Sequence, residues 1–299
     1  MSDRARFAGI YPMLYAFFHA DGSLDPGAIR RQVDACVAGR ADGVAVLGLA
    51  SEVRSLAAAE RRQMMDWTAD ALGMRLPLAI TIYEPTVSSQ IESARHARAI
   101  GADWVILQPP PGQGTPESEL IDFFSGVGDG IDLPFAIQNA PEYLGVGLTR
   151  EGIDELARRC ANFSLLKGEG PAVQISEIVA ATLGRLAVFN GRGGLEIVDN
   201  LLAGCAGIIP AVDCFDALVE VHAAFARGDE RAAYTAYARV LPVIVFVMQS
   251  LDTLLIYGKT LAAQRLGLPP PIQRNKALQA TPFGLACLER LTGHLPPFP

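Results

Sequence analysis

The chain has 299 residues, of which half are hydrophobic and 19% are charged, and its formal net charge is −7. An excess of acidic side chains repels polyanions, which argues against nucleic acid or an anionic membrane as a partner. No basic and then apolar leader opens the chain, no apolar run is long enough to span a membrane, and the five cysteines form no C-x-x-C pair. We therefore expect a cytoplasmic protein with free thiols.

The first strand and the first helix have clear boundary signals. Residues 10–18 are apolar and aromatic and end at the turn signal Asp21-Gly22, so they predict a strand. A helix is expected to follow, with Asp25 as its N-cap and Pro26 at its first position. Its buried face would carry apolar side chains at helical spacing until the helix ends at Gly39.

Seven further strands are predicted from short runs that are apolar throughout, several of them directly after a glycine that ends a helix. Such runs are typical of parallel strands that are buried on both faces. They cover residues 44–47, 78–82, 104–107, 135–138, 164–167, 186–190 and 208–210. No Gly-x-Gly-x-x-Gly follows the first strand, so a dinucleotide-binding sheet is not supported.

Eight strands that alternate with helices through about residue 226 predict an α/β fold, a (β/α)8 TIM barrel. The strand signals then stop, and residues 231–248, 251–266 and 282–291 predict helices. We interpret residues 1–226 as the barrel that holds the active site. Residues 227–299 are interpreted as a C-terminal helical extension, because about seventy residues are few for an independent domain.

Lys167 is a candidate catalytic residue because it ends an apolar strand, at the edge of the barrel where active sites form. The chain has only two other lysines, Lys259 and Lys276, and both lie in the helical extension. An amine held in an apolar wall loses solvation, and its neutral form can attack a ketone to give a Schiff base. Arginine stays protonated and cannot do this. The alternative is a surface lysine just past a strand end.

The order of motifs at the strand ends resembles the family of dihydrodipicolinate synthase and N-acetylneuraminate lyase, which are class I, Schiff-base-forming enzymes. Residues 48–52 read Gly-Leu-Ala-Ser-Glu where the family has Gly-Thr-Thr-Gly-Glu or Gly-Ser-Thr-Gly-Glu, and residues 139–141 stand for its Tyr-Asn-x-Pro. Lys167 aligns with the imine-forming lysine, and Gly191 with a glycine near the bound keto-acid carboxylate. The resemblance covers essentially the whole chain, residues 21–25 and the helical tail included, and it implies a homodimer or homotetramer.

The sequence departs from this family where the family moves protons and binds its second substrate. Gln138 replaces the tyrosine that is the usual proton relay, and an amide cannot shuttle a proton as a phenol does. Leu49 and Ala50 replace the paired threonines, and residues 110–111 are prolines where the family has tyrosines. Tyr143 stands at the arginine that dihydrodipicolinate synthase uses for its second substrate. Authentic dihydrodipicolinate synthesis is therefore not expected.

Within the family, the sequence looks more like the branch that dehydrates 2-keto-3-deoxy sugar acids. This likeness rests on Ser-Glu after the second strand and on Gln-x-Ala-Pro after the fifth. In that branch the imine acidifies C3, a base removes the C3 proton, and hydroxide leaves from C4. The alternatives are a pyruvate-releasing class I aldolase or dihydrodipicolinate synthase-like enzyme, and a catalytically silent homologue that binds a keto acid or serves only as an interaction scaffold.

The candidate site is assembled from these strand ends. The candidate catalytic residues are the nucleophile Lys167 and three residues for proton transfer and hydroxyl recognition, Gln138, Glu169 and Tyr83. The candidate substrate-binding residues are Ser51, Ala50, Gly191, Arg192 and Asn139, since turn N–H groups and a guanidinium can hold a carboxylate. A solvated loop arginine is the alternative for Arg192. Glu52 is predicted to be a buried structural carboxylate that pairs with neighbouring backbone. The predicted ligand is a small-molecule 2-keto acid, and no metal or other cofactor is implied.

Overall fold

The structure, a computed structural model, describes residues 7–112, 114–182 and 184–298, and eight short parallel strands form its centre. They are β1 (Gly9–Ile10), β2 (Val44–Val46), β3 (Leu78–Ile82), β4 (Trp104–Leu107), β5 (Phe135–Asn139), β6 (Phe163–Gly168), β7 (Ala187–Asn190) and β8 (Gly207–Ile208). β1 pairs with β8, and the order then runs through β7 down to β2. Met13 forms parallel bridges with both Ala45 and Ala211, so it joins the two ends of the curled sheet.

Helices surround this sheet in the alternating order that the sequence predicts. Those of the barrel are α1 (Pro26–Ala38), α2 (Ala58–Leu72), α3 (Val87–Ala99), α4 (Glu117–Asp129), α5 (Pro141–Leu144), α6 (Arg150–Arg159), α7 (Ala172–Ala181), α8 (Ile197–Leu202) and α9 (Phe215–Ala226). Those of the extension are α10 (Glu230–Val247), α11 (Leu251–Thr253), α12 (Lys259–Arg265) and α13 (Pro282–Thr292), with a π-helical turn, Leu254–Gly258, between α11 and α12. The protein is thus a (β/α)8 TIM barrel with C-terminal helices, as predicted.

The first strand is shorter than predicted, because the chain leaves it to close the barrel. Only Gly9–Ile10 is a strand, and Pro12, which has no N–H to donate, follows closely. The N–H of Met13 then donates to the carbonyl of Pro210, and the N–H of Leu14 donates to the carbonyl of Ala45. The buried residues after β1 therefore span the gap between β8 and β2. The predicted start of α1 is confirmed, since the Asp25 side chain accepts a hydrogen bond from the Ala28 N–H.

Aromatic side chains pack against one another inside the barrel. Trp104, the first residue of β4, lies 5.7 Å from Tyr11 and 5.5 Å from Phe189 between ring centroids. Rings of this size bury a large apolar surface and leave little free space. A small molecule would therefore have to enter at the carboxyl ends of the strands, where TIM barrels carry their active sites.

No single helix in the described part of the chain is long and apolar enough to cross a membrane. Within that part, length and composition would allow a span only for α10 combined with residues 251–265, and these two segments are bent by 108° relative to each other. The five cysteines are free, as predicted. Four of them, Cys36, Cys160, Cys205 and Cys214, are buried.

Candidate active site

A pocket lies at the carboxyl ends of the strands, and its walls are mainly apolar. The barrel contributes Met13, Leu49 and Ile209 to these walls, and the helical extension contributes Met248, Leu251 and Leu254. The polar side chains that line the pocket are those of Lys167, Glu169, Tyr143 and Ser250. An apolar pocket with a few convergent polar groups is typical of a small-molecule site.

The predicted nucleophile and a carboxylate are in direct contact in this pocket. Lys167 Nζ lies 2.8 Å from Glu169 Oε1, and both side chains are about 5% exposed. Lys167 is the only lysine that lines the pocket among the described residues. The sheet register places it beside Gln138 of β5 on one side and Phe189 of β7 on the other. Paired residues of neighbouring strands point to the same face, so all three side chains point into the barrel.

Two buried glutamines orient the Glu169 carboxylate. The amide nitrogen of Gln138 donates to Glu169 Oε1 at 2.5 Å, and the amide nitrogen of Gln108 donates to Gln138 Oε1 at 2.7 Å. Oε1 of Glu169 thus meets both the amide and the lysine ammonium. The sequence analysis predicts no role for Gln108, although its place directly after β4, at a strand end, is a signal that indicates such a residue.

Gly191, directly after β7, makes room for the lysine and the carboxylate. A Cβ atom on residue 191 would lie 2.7 Å from Lys167 Cε and 2.7 Å from Glu169 Cγ. Its own N–H donates to the carbonyl of Gly168. The predicted residue therefore lines the pocket, and its lack of a side chain permits the Lys167–Glu169 contact.

The other predicted residues are spread over several places. Ala50 lines the pocket. The hydroxyl of Ser51 accepts a hydrogen bond from the Leu47 N–H and donates to the Leu14 carbonyl, and Ser51 is not among the lining residues. The amide of Asn139 donates to the carbonyl of Leu148 and accepts from its N–H. Both side chains therefore hold loops in place.

Tyr83 and Arg192 also lie outside the pocket lining. Tyr83 borders a separate surface pocket with Arg54, and the Arg61 guanidinium lies 5.9 Å from its ring centroid. Arg192 lies beside Tyr143, and its Nη1 is 3.4 Å from Glu196 Oε2. The Arg192 Nε atom is buried and has no hydrogen-bond partner among the described residues.

Tyr143 contributes a titratable phenol to the pocket, although the sequence predicts no catalytic role for it. Burial and then the charge of Glu169 raise its pKa above the usual value for tyrosine, while Arg192 acts in the opposite direction. The phenol is therefore protonated at neutral pH and can donate a hydrogen bond. The signal in the sequence was its place four residues after the end of β5, in a stretch where Pro141 begins a helix.

Glu52 is buried as predicted, but its partner is a side chain and not the neighbouring backbone. Its Oε1 lies 2.6 Å from Nζ of Lys259, which is fully buried. Burial lowers the pKa of Lys259, and the charge of Glu52 acts against this shift. This ion pair connects the loop after β2 to the start of α12, so the second buried lysine has a structural partner.

Three known proteins are similar to this chain over most of its length. YjhH of Escherichia coli, described as a probable 2-dehydro-3-deoxy-D-pentonate aldolase, is 27% identical over 89% of this chain and 92% of its own. The L-2-keto-3-deoxyarabonate dehydratase of Azospirillum brasilense is 28% identical over 81% of this chain and 80% of its own. The crystal structure of YagE from E. coli K12, solved in complex with pyruvate, superposes with a TM-score of 0.88 at 25% identity and covers 96% of this chain and 98% of YagE.

The family comparison agrees with the motif order and with the barrel. The model of the dihydrodipicolinate synthetase family matches residues 6–275, which include all eight strands and most of the helical extension. Relatives of this family carry the names of aldolases, dehydratases and synthases. The chain belongs to the dihydrodipicolinate synthetase family and is a lyase.

Proposed function

We propose that the protein is a class I lyase whose Lys167 forms a Schiff base with the ketone of a 2-keto acid. The observation that carries this proposal is the Lys167–Glu169 contact of 2.8 Å inside an apolar pocket. The ammonium passes a proton to the carboxylate, and the neutral amine attacks C2. Loss of water then gives an iminium that acidifies the protons at C3. A catalytically silent homologue would have no use for a buried amine in this position.

Glu169 is the base that the geometry supports best for the C3 proton. Its carboxylate is held by Gln138 on the same oxygen that faces Lys167, so it lies close to any carbon bound to that nitrogen. A general base must be within hydrogen-bond reach of the proton it removes, and a carboxylate 2.8 Å from the Lys167 nitrogen would have the C3 protons of the bound iminium within that reach. Gln138 orients the carboxylate and has no proton to give near neutral pH.

Elimination of a hydroxyl from C4 is the proposed outcome. Retro-aldol cleavage requires a base that takes the proton of the C4 hydroxyl, and the family's tyrosine is absent at Gln138. Elimination requires instead a group that gives a proton to this hydroxyl as it leaves. The similarity to L-2-keto-3-deoxyarabonate dehydratase supports this choice. The similarity to YjhH favours the second candidate, a pyruvate-releasing aldolase.

The apolar walls support a short substrate. A buried hydroxyl without a hydrogen-bond partner costs roughly 1–3 kcal/mol, so each additional hydroxyl of a sugar acid needs its own partner. Lys167 binds the ketone carbon and Glu169 takes the C3 proton. Among the described residues, only Tyr143 and Ser250 then remain as polar side chains that line the pocket. This supports a 2-keto-3-deoxy acid of about five carbons, with one hydroxyl to lose and few others to bind.

Borohydride trapping tests the Schiff base, and product analysis tests the reaction. Wild-type protein incubated with pyruvate or a longer 2-keto acid and then reduced should gain the mass of one adduct, and Lys167→Ala should gain none. Lys276→Ala, which changes an exposed lysine of the extension that does not line the pocket, is the control. Five- and six-carbon 2-keto-3-deoxy acids should give a dehydrated keto product and little pyruvate. No adduct in the wild type would reject the mechanism, and stoichiometric pyruvate measured with lactate dehydrogenase would favour the aldolase.

We also propose that the enzyme works in the cytoplasm, where free thiols such as those of the buried cysteines persist, and that it forms a homodimer or homotetramer. An apolar run over residues 240–248 would support such an assembly if it were exposed. Most of this run packs inside the subunit, and of its large apolar residues only Val245 is highly exposed, at 49%. The family resemblance is therefore the remaining support, and light scattering at micromolar concentration measures the assembly directly.

A further inference from the structure

The proposed elimination needs a proton donor for the leaving hydroxide. Lys167 is bound in the imine at that stage, and Glu169, which holds the C3 proton, can return it only to a hydroxyl on the same face of the substrate, so a second donor serves a hydroxyl on any other side. Of the polar residues that line the pocket, Ser250 and Tyr143 remain. Ser250 is exposed and its hydroxyl caps a helix by accepting from the Thr253 N–H. An aliphatic hydroxyl is also a much weaker acid than a phenol, so Tyr143 is the better donor.

The fold fixes the Tyr143 ring at the pocket. Tyr143 lies in the short helix α5, which starts at Pro141 and ends at Gly145 with a positive φ of 77°. The two hydrogen bonds of Asn139 with the Leu148 backbone hold the loop that carries this helix. The ring packs in a small apolar cluster with Leu49 and Leu251, which both line the pocket.

The charges around the phenol suit a proton donor. Burial and then the charge of Glu169 raise the pKa of Tyr143, so the phenol is protonated before the reaction. Arg192 acts in the opposite direction and lowers the pKa of Tyr143, so its positive charge would stabilise the phenolate that remains after proton transfer. Arg192 pairs only loosely with Glu196, at 3.4 Å, and its Nε is unpartnered among the described residues, so Glu196 does not fully neutralise this charge.

We propose that Tyr143 is a catalytic residue that donates its phenol proton to the C4 hydroxyl as that group leaves, in place of the tyrosine that the family has at Gln138. The assignment rests on the proposed function. The C3–H bond breaks, its proton goes to Glu169, and its electron pair forms the enamine C2=C3. The enamine pair then forms C3=C4, the C4–O bond breaks, and the oxygen leaves as water with the phenol proton. Glu169 returns its proton to the phenolate, and water hydrolyses the iminium.

Tyr143→Phe removes the hydroxyl and keeps the aromatic ring, so the packing with Leu49 and Leu251 is retained. The probes are pyruvate, a five-carbon 2-keto-3-deoxy acid, and the analogue of that acid with fluorine in place of the C4 hydroxyl. Fluoride leaves without a proton donor, whereas hydroxide does not. The variant should keep the borohydride adduct and the exchange of pyruvate methyl protons with deuterium within about threefold, and it should release fluoride normally. Loss of water should slow by roughly 10²–10⁴-fold, the usual contribution of general acid catalysis.

The control is Tyr234→Phe on α10, which removes an exposed hydroxyl that donates a hydrogen bond to Asp199. It should behave as the wild type in every assay. Three results would overturn the assignment: unchanged loss of water in Tyr143→Phe, equal loss of fluoride release and proton exchange, or a wild type that exchanges protons but does not eliminate. A wild type without any borohydride adduct would instead reject the Schiff-base proposal, and the Tyr143 assignment with it.

Discussion

Gly191 determines how closely the nucleophile and its carboxylate can approach each other. The backbone φ of Gly191 is not positive, so an alanine can adopt the same backbone conformation. The added Cβ, however, would lie 2.7 Å from Lys167 Cε and from Glu169 Cγ. We expect Gly191→Ala to fold normally and to lose roughly 10²-fold in kcat/KM, because displacements of about 1 Å at reacting groups cost that much. Steady-state kinetics and thermal unfolding measure the two effects separately.

The matched control for this change is Gly126→Ala in α4, where the new Cβ would meet only Val87, at 3.4 Å. It should keep full activity. Activity of Gly191→Ala close to that of the wild type would mean that the lysine and the carboxylate can separate without harm, and it would weaken the role given to their contact.

At the level of single residues, strand positions were enough to predict which side chains point into the barrel from the strand ends. Lys167 and Gln138 occupy paired positions on neighbouring strands, so their common direction follows from strand geometry. Asn139 follows Gln138 in the same strand and therefore points the other way, where it binds the Leu148 backbone. The hydroxyl of Ser51 is likewise taken up by backbone groups of its own loop and of Leu14. Whether a loop side chain faces the ligand depends on how the loop closes, which sequence spacing does not specify.

At the level of elements, the extension is attached to the barrel through a buried ion pair. Lys259 Nζ meets Glu52 Oε1 at 2.6 Å and lies 4.9 Å from the centroid of the Phe18 ring. Removal of one partner of a buried pair leaves the other charge uncompensated, at a cost of ~3–5 kcal/mol. We expect Lys259→Met to lower the free energy of unfolding by this amount, as measured by urea denaturation.

The double variant Lys259→Met/Glu52→Gln should recover much of that loss, because it no longer buries a lone carboxylate. Lys276→Met, at an exposed position of the same extension, serves as the control. If Lys259→Met were as stable as the wild type, the pair would contribute nothing to holding the extension in place.

The helices of the extension were predicted within two residues, whereas the π-helical turn between them was not. Its residues Leu254–Gly258 look like ordinary amphipathic helix in the sequence. Leu254 lines the pocket, and Lys259, which follows the turn, reaches Glu52. A π turn inserts one extra residue into a helix and so shifts the side chains that follow it. Such an adjustment depends on contacts with a distant part of the chain, which local periodicity does not contain.

At the level of the whole molecule, the alternation of strands and helices was enough to predict the barrel, because closed parallel sheets have few topologies. The relation between barrel and extension needed the structure. Besides the Lys259–Glu52 pair, Arg265 binds both the backbone carbonyl of Asp213 and the carboxylate of Asp216, and Arg274 pairs with Glu60. The extension also supplies Met248, Leu251 and Leu254 to the pocket. We therefore propose that residues 227–299 share the folding unit of residues 1–226.

This proposal predicts one cooperative unfolding transition for the full chain. The two tryptophans, Trp67 in α2 and Trp104 in β4, report on the barrel by fluorescence, and hydrogen exchange of peptides from residues 251–265 reports on the extension. Both should give the same midpoint in urea, because unfolding of the extension alone would expose Glu52 without its lysine and open the apolar pocket walls to water. If these peptides exchanged freely at urea concentrations where the tryptophan signal is still native, the extension would be a separate unit, and the pocket would be completed only after the barrel has folded.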